Sequence, residues 1–132
     1  MMNREILFRG KRVDNGKWTY GSLSVYNDGS TEIRAPDEND MFYGHFVRPE
    51  TVGQYIGLTD KNGQKIFEGD IIRGMGNRAM TDYFQIRWSA AICSFTAGEG
   101  KCVWPCLDQD TVAQYEVVGN IHDNPELLEV QG

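Results

Sequence analysis

Three dipeptides, each an Asn or Asp followed by Gly, constrain this chain more than any other feature. They are Asn15-Gly16, Asp28-Gly29 and Asn62-Gly63, and apolar and β-branched residues stand on both sides of each pair. Such pairs are preferred in tight β-hairpin turns because they adopt the left-handed backbone conformation at low cost. The chain is therefore predicted to consist mainly of antiparallel strands.

The first two pairs connect the runs "EILFRGKRV", "KWTYGSLSVY" and "STEIRA". These runs predict an antiparallel meander from Glu5 to Arg34. The following segment, "RAPDENDMFYGHFVRPET", has two prolines and a run of polar and acidic residues, so we interpret it as a connector whose apolar middle packs as a short strand or covers the end of a barrel. Residues 1–50 are thus predicted to form a meander with its connector, followed by a second β part over residues 51–132, the two forming one compact unit.

The third pair lies in "GLTDKNGQKIFEGDII", a stretch rich in glycine and acids that invites interpretation as a phosphate or metal loop. Asn62 and Gly63 instead predict the corner between two strands. Gly69 interrupts an apolar run, as glycines at bulges and sharp bends do. The strongest strand signal follows in "YFQIRW", where Phe84, Ile86 and Trp88 alternate with polar residues and are expected to face the core.

Further along, "AAICSFTAG" and "YEVVGNI" are predicted strands, and Asn124-Pro125 in "HDNPELLEV" predicts a short closing helical turn. The chain has no apolar run near the roughly 20 residues that span a bilayer. Charged residues stand where a signal peptide would be apolar, and three cysteines are an odd number, which favours reduced thiols. We therefore expect a cytoplasmic protein without a membrane contact.

Enzymatic chemistry has two candidate sets of residues. Glu68 and Asp70 flank one glycine and could share a strand face that binds a divalent cation, whereas Cys102 and Cys106, with Cys93, could hold a metal or supply a thiol nucleophile. His45 and His122 lie far from the cysteines in sequence. We favour structural roles for all of them and predict no catalytic residue, metal or cofactor. A small metal-dependent or thiol-based enzyme is the alternative.

Binding chemistry rests on aromatic residues. Tyr83 and Trp104 are candidate partner-binding rings, because small β-barrels commonly recognise peptides or single strands with exposed rings. A single-stranded nucleic-acid binder that uses these rings with Arg73, Arg78 and Arg87 is a second alternative. The formal net charge of −6 opposes broad contact with phosphates, so nucleic-acid binding is not the favoured prediction.

Three blocks carry a resemblance to a known family. "REILFRGKR" near the start, "GQYIGLTDKNGQKIFEGDII" in the middle and "YEVVGNIHDNPELLE" near the end resemble the YopX-like proteins of phages and prophages. The resemblance implies a mainly β protein whose C-terminal part is an SH3-like small barrel. It also implies action inside a bacterial host, and it brings no established activity or catalytic residue.

These observations favour a non-enzymatic binding or assembly module. A meander beside a small barrel leaves strand edges uncovered, so we expect a homo-oligomer, with host or phage proteins as further possible partners. The apolar residues of the connector, Phe42 among them, are the predicted contact; the others are Met41, Tyr43, Phe46 and Val47.

Overall fold

A computed structural model describes residues 4–36, 41–75, 81–99, 102–104 and 107–129. Within these ranges the chain forms eleven β-strands and two short α-helices, which confirms the prediction of a mainly β protein. The chain divides into two compact units, a first unit, Met1–Tyr55, and a second unit, Ile56–Gly132. The division falls inside a strand, β5 (Gly53–Thr59), five residues beyond the boundary that the sequence predicts.

The first unit is an antiparallel meander, as predicted. Its strands follow the order β4-β3-β2-β1, and the start of β5 pairs with the other side of β1. The expected connector contains a strand, β4, and a 3-10 turn at Pro49–Thr51. The strands are β1 (Phe8–Lys11), β2 (Trp18–Val25), β3 (Thr31–Pro36) and β4 (Phe42–Val47).

Strand β2 changes partner halfway along its length. Its residues up to Gly21 pair with β1, and those from Ser22 onwards pair with β3. A Cβ atom on Gly21 would overlap the carbonyl oxygen of Arg34 and touch Ala35. Glycine at this position therefore lets β2 and β3 approach closely at the point where β2 passes from one ladder to the next.

Two backbone hydrogen bonds join the end of β4 and the residue after it to the end of β1 and the segment that follows. The Val13 N–H donates to the Phe46 carbonyl, and the Arg48 N–H donates to the Lys11 carbonyl, both at 2.9 Å. In an antiparallel strand the N–H and C=O of one residue point to the same side and alternate along the strand. The backbone groups of Phe46 therefore point away from β3, and so do those of Gly44.

The three predicted turns form with one difference from expectation. Only the glycines are left-handed, with φ of 71° at Gly16, 89° at Gly29 and 78° at Gly63. The preceding Asn or Asp keeps a negative φ, and in two turns its side chain accepts a backbone hydrogen bond instead. Asn15 accepts from the Lys17 N–H and Asp28 from the Ser30 N–H, both at 2.9 Å.

The second unit contains a five-stranded antiparallel sheet in the order β10-β9-β8-β7-β11. The described strands do not close into a barrel, which corrects the predicted SH3-like barrel to an open sheet beside the hairpin of β5 and β6. The predicted helical turn is present as α2. The elements are β6 (Lys65–Phe67), β7 (Asp70–Met75), β8 (Thr81–Ser89), β9 (Ser94–Glu99), β10 (Cys102–Trp104), α1 (Gln109–Val112), β11 (Glu116–Asn120) and α2 (Glu126–Glu129).

The core of the second unit is one continuous apolar cluster. Its centre is fully buried, and partly buried side chains such as Phe84 and Tyr115 pack around it. Trp88 was expected in this core but is 50% exposed. Trp88 lies on the same face of β8 as Phe84 and Ile86, as predicted. The strand, however, extends past the elements that cover this face. The central residues are Ile66, Ile72, Ile86, Ala97 and Val112.

Candidate functional site

Buried acids of the central block, "GLTDKNGQKIFEGDII", accept hydrogen bonds from backbone N–H groups. Asp60 is 4% exposed, and one of its carboxylate oxygens accepts the N–H groups of Asn62 and Gln64, at 2.8 and 2.9 Å. Its other oxygen accepts the Val117 N–H at 2.9 Å. One carboxylate therefore closes the turn around Gly63 and fixes it to β11, so this stretch forms a corner of the fold.

Asp70 has a comparable structural position. It is 2% exposed, and its carboxylate accepts the N–H of Phe67 across the tight turn that contains Gly69. Gly69 has a φ of 93°, donates to the Ile86 carbonyl and accepts from the Ile121 N–H. Burial and these bonds leave the Asp70 carboxylate turned into the fold, away from the shared cation-binding face proposed for Glu68 and Asp70.

The proposed partner-binding ring Tyr83 lies in β8 opposite Arg73 of β7. The Arg73 guanidinium donates to Glu116 at 2.6 Å, and Lys61 approaches the same carboxylate at 3.9 Å. Hydrogen bonding with Tyr83 and Glu116 raises the pKa of Arg73. Tyr83 is partly buried in this polar network, so less of its ring is presented to a partner than the sequence suggests.

The structure describes the other predicted site residues only in part. The backbones of Phe42 and Trp104 lie in β4 and β10, opposite Pro36 and Ala97, while their side chains lie outside the description. Arg78 and Cys106 lie outside the described residues altogether. Cys93 is exposed in the loop between β8 and β9, with a φ of 52°. Within the described ranges no three His, Cys, Asp or Glu residues form a group suited to a metal ion.

An aromatic pair that sequence reasoning missed lies at the end of the β8–β9 hairpin. Trp88 and Phe95 are opposite each other in the ladder, with ring centroids 5.2 Å apart in an edge-to-face arrangement. Phe95 also lines a pocket of about 170 Å³ together with Ile56, Leu58 and Leu107. The ladder alternation predicts that Trp88 and Phe95 share a face. The sequence gives no sign that the core ends before them.

The exposed surface of β4, the end strand of the first unit, has one aromatic side chain on each face of the strand. Tyr43 and Phe46 are 54% and 51% exposed, and Met41 precedes them. The Phe46 ring contacts Tyr26, whose hydroxyl donates to Glu32 at 3.0 Å, and that bond raises the pKa of Tyr26. The predicted contact residue Val47 is buried and is not part of this surface.

A comparison with family models matches residues 7–129 to the YopX protein family. The chain belongs to the YopX protein family. The match covers nearly the whole chain and confirms the resemblance that the three sequence blocks carry. In this YopX protein the central and terminal blocks supply Asp60, Asp70 and Val117, so their residues form the backbone clamps described above.

Among solved structures, the YopX chain is similar to the crystal structure of protein EF1440 from Enterococcus faecalis. The TM-score is 0.61 and the sequence identity 21%, over 96% of this chain and 99% of that one. At this identity the likeness shows the fold alone. The comparison with curated proteins gave no match. In the described part of the chain, no helix has the length and apolar character needed to cross a bilayer.

Proposed function

We propose that this YopX protein is a non-enzymatic binding or assembly module that self-associates through β4 and acts in the cytoplasm of a bacterium carrying a phage or prophage. The observation that carries the proposal is the exposure of two aromatic side chains on the end strand of the first unit. Tyr43 and Phe46 lie on opposite faces of β4, and each exposes more than half of its surface. A second copy paired along this edge would continue both faces of the sheet and so cover part of each ring. The bacterial and phage setting is supported by the family resemblance.

The backbone of β4 fits pairing with a second copy. No described strand lies on the outer side of β4 at Gly44, whose N–H and C=O point to that side. A two-fold axis at Gly44 would let the two copies exchange these hydrogen bonds in an antiparallel pair. It would also place Tyr43 opposite His45 of the second copy. The same exposed edge is otherwise a template for uncontrolled pairing, so a closed dimer protects it.

Self-association is tested by sedimentation velocity or light scattering over a concentration series. We expect a mass near twice the 15.0 kDa of the chain at high micromolar concentration. Tyr43→Glu places a charge at the contact and should raise the dimer dissociation constant at least about ten-fold, equivalent to about 1.4 kcal/mol. The matched control is Ile6→Glu, since Ile6 is 61% exposed in the same unit but lies outside β4.

Two results would reject the proposal. One is a wild-type chain that stays monomeric throughout the series. The other is an Ile6→Glu variant that dissociates the dimer as much as Tyr43→Glu does, because that would place the contact elsewhere. Circular dichroism of both variants checks that each substitution leaves the sheet folded.

A further inference from the structure

The second unit has a pocket lined by four apolar residues and by Ser94; the apolar residues are Ile56, Leu58, Phe95 and Leu107. We call this pocket, together with Trp88 beside Phe95, the groove. The pocket is continuous with the core, since three of its five lining residues, Ile56, Leu58 and Leu107, also pack against the buried cluster. Trp88 does not line the pocket itself, but its half-exposed ring packs against Phe95, which does. The groove thus presents part of the apolar interior at the surface.

Hydrogen bonds fix the walls of this groove. The Gln109 side-chain amide donates to the Thr59 carbonyl at 2.8 Å and accepts from the Thr59 N–H at 3.0 Å. This two-point clamp ties α1, which follows Leu107, to the strand that carries Leu58. A pocket whose walls are held in place before binding costs less free energy to fill than one that must be assembled.

The size of the pocket selects the kind of occupant. Its volume of about 170 Å³ is more than ten times the roughly 10–15 Å³ that a cavity needs to hold one water. It is smaller than the roughly 300–1,000 Å³ of sites that enclose a drug-sized ligand or cofactor. The pocket therefore matches a single apolar side chain, with the Trp88 ring available to cover the backbone on either side of it.

The charge around the groove determines which residues fit on either side of the inserted side chain. Leu107 is followed by two exposed acids, Asp108 and Asp110. The Thr111 N–H donates to Asp108 at 2.8 Å and lowers the pKa of Asp108, so the carboxylate is ionised at neutral pH. The second unit as a whole has eleven Asp and Glu residues against six Lys and Arg residues. Acidic flanks beside an apolar pocket are complementary to a basic segment.

We infer that the groove binds a segment of a partner protein in which one aliphatic or aromatic residue inserts into the pocket and neighbouring Lys or Arg residues face Asp108 and Asp110. This inference rests on the proposed role as a binding module, but it is independent of self-association through β4. A second copy, a nucleic acid or a small molecule in the groove are the competing occupants.

The test is selection of a displayed random heptapeptide library on the wild-type protein. We expect enriched peptides to share one apolar residue with Lys or Arg beside it. A synthetic peptide of that pattern should bind Trp88→Ala at least about five-fold more weakly. Tyr20→Ala is the matched control, since Tyr20 is an aromatic residue of similar exposure in β2 of the first unit and should leave peptide binding unchanged.

Charge is tested with a second pair of variants. The double variant Asp108→Asn and Asp110→Asn keeps a side chain that caps α1. It should weaken the peptide about three-fold or more and reduce the salt dependence of binding. The control Asp14→Asn with Asp28→Asn changes the net charge equally, on exposed acids of the first unit, and should leave binding unchanged.

Each remaining outcome overturns the inference. These outcomes are a selection that enriches nothing, a selection that enriches peptides without the pattern, and enriched peptides that bind Trp88→Ala as tightly as wild type. Light scattering on the same samples separates this failure from that of the proposed function. If Trp88→Ala dissociates the oligomer, a second copy occupies the groove; if the oligomer persists and no peptide is selected, only the groove assignment fails.

Discussion

The two units bury apolar side chains to very different extents. Among the side chains that the structure describes, the second unit has a continuous cluster of buried residues and exposes two large apolar ones, Trp88 and Ile92, to 50% each. In the described part of the first unit the buried apolar residues are Ile33 and Val47, and eight large apolar residues are exposed: Ile6, Val13, Tyr20, Val25, Tyr26, Met41, Tyr43 and Phe46. Burial stabilises the second unit, whereas the first leaves more apolar area exposed, which is the basis of the proposed self-association.

The units also differ in how they use acidic turn residues. Asp60 in the second unit is buried and accepts three backbone hydrogen bonds, two within its turn and one from β11. Asp28 in the first unit closes a similar turn but is exposed and bonds only to Ser30. The same short-range chemistry therefore has a tertiary role in one unit and a local role in the other.

The largest expected effect is that of Asp60→Ala. Removing the carboxylate leaves the N–H groups of Asn62, Gln64 and Val117 without their acceptor, and we expect a loss of about 2–3 kcal/mol in the free energy of unfolding. Asp28→Ala is the matched control and should cost less than about 1 kcal/mol, because water replaces an exposed acceptor. Urea denaturation measures both. Equal losses would remove the distinction between buried and exposed turn acids.

Gly21→Ala should have the next largest effect. The added Cβ overlaps the carbonyl oxygen of Arg34, a backbone atom that moves only with its strand. We expect a loss of about 2 kcal/mol, typical of forced overpacking. Gly63→Ala is the control: its Cβ meets nothing within 4 Å, but its φ of 78° should still cost about 1 kcal/mol.

Thermal or urea unfolding of these two glycine variants separates steric overlap from backbone conformation. If Gly21→Ala is as stable as wild type, β2 and β3 do not approach as closely as the structure shows. The first unit would then tolerate substitutions within its strands as well as on its surface. The two units would differ even more in how strongly packing constrains their sequences.

The sequence predicted the strands well because their signals are local. Gly16, Gly29 and Gly63 mark turns through the φ angle that only glycine adopts easily, and alternation placed Ile86 correctly in the core. The closing helical turn was predicted from Asn124 and Pro125 for the same reason. Features that depend on one residue and its neighbours in sequence can be predicted without knowledge of the fold.

The candidate surfaces were harder to predict because exposure depends on where other elements end. Trp88 has the same phase as Ile86, and only the extent of the core decides that one is half exposed and the other buried. Sequence analysis considers Asp70, with Glu68, as a cation ligand and assigns no role to Asp60, since nothing local reveals that Val117, 57 residues away, donates to Asp60. The open sheet likewise depends on pairings between distant strands.

The smallest expected effect concerns two exposed acids, one in each unit. Hydrogen bonds from Ser30 lower the pKa of Asp28, and the bond from the Thr111 N–H lowers the pKa of Asp108. A carboxyl whose folded pKa is depressed contributes stability that is fully present above its unfolded pKa, near 3.9, and is lost as pH falls through the folded pKa. Both units should therefore lose a little stability below about pH 4 from these groups.

Carboxyl titration by NMR, with Asp28→Asn and Asp108→Asn as references, measures this effect. We expect both side chains to titrate below about 3.9, and each variant to unfold with a weaker dependence on pH than wild type in the acid range. Similar pH dependences for Asp28 and Asp108 would show that exposed turn acids contribute alike in both units. The larger contribution expected of Asp60 would then be due to its burial. A titration of Asp108 at or above about 3.9 would contradict the capping bond to Thr111 and with it the fixed position of the acids beside the groove.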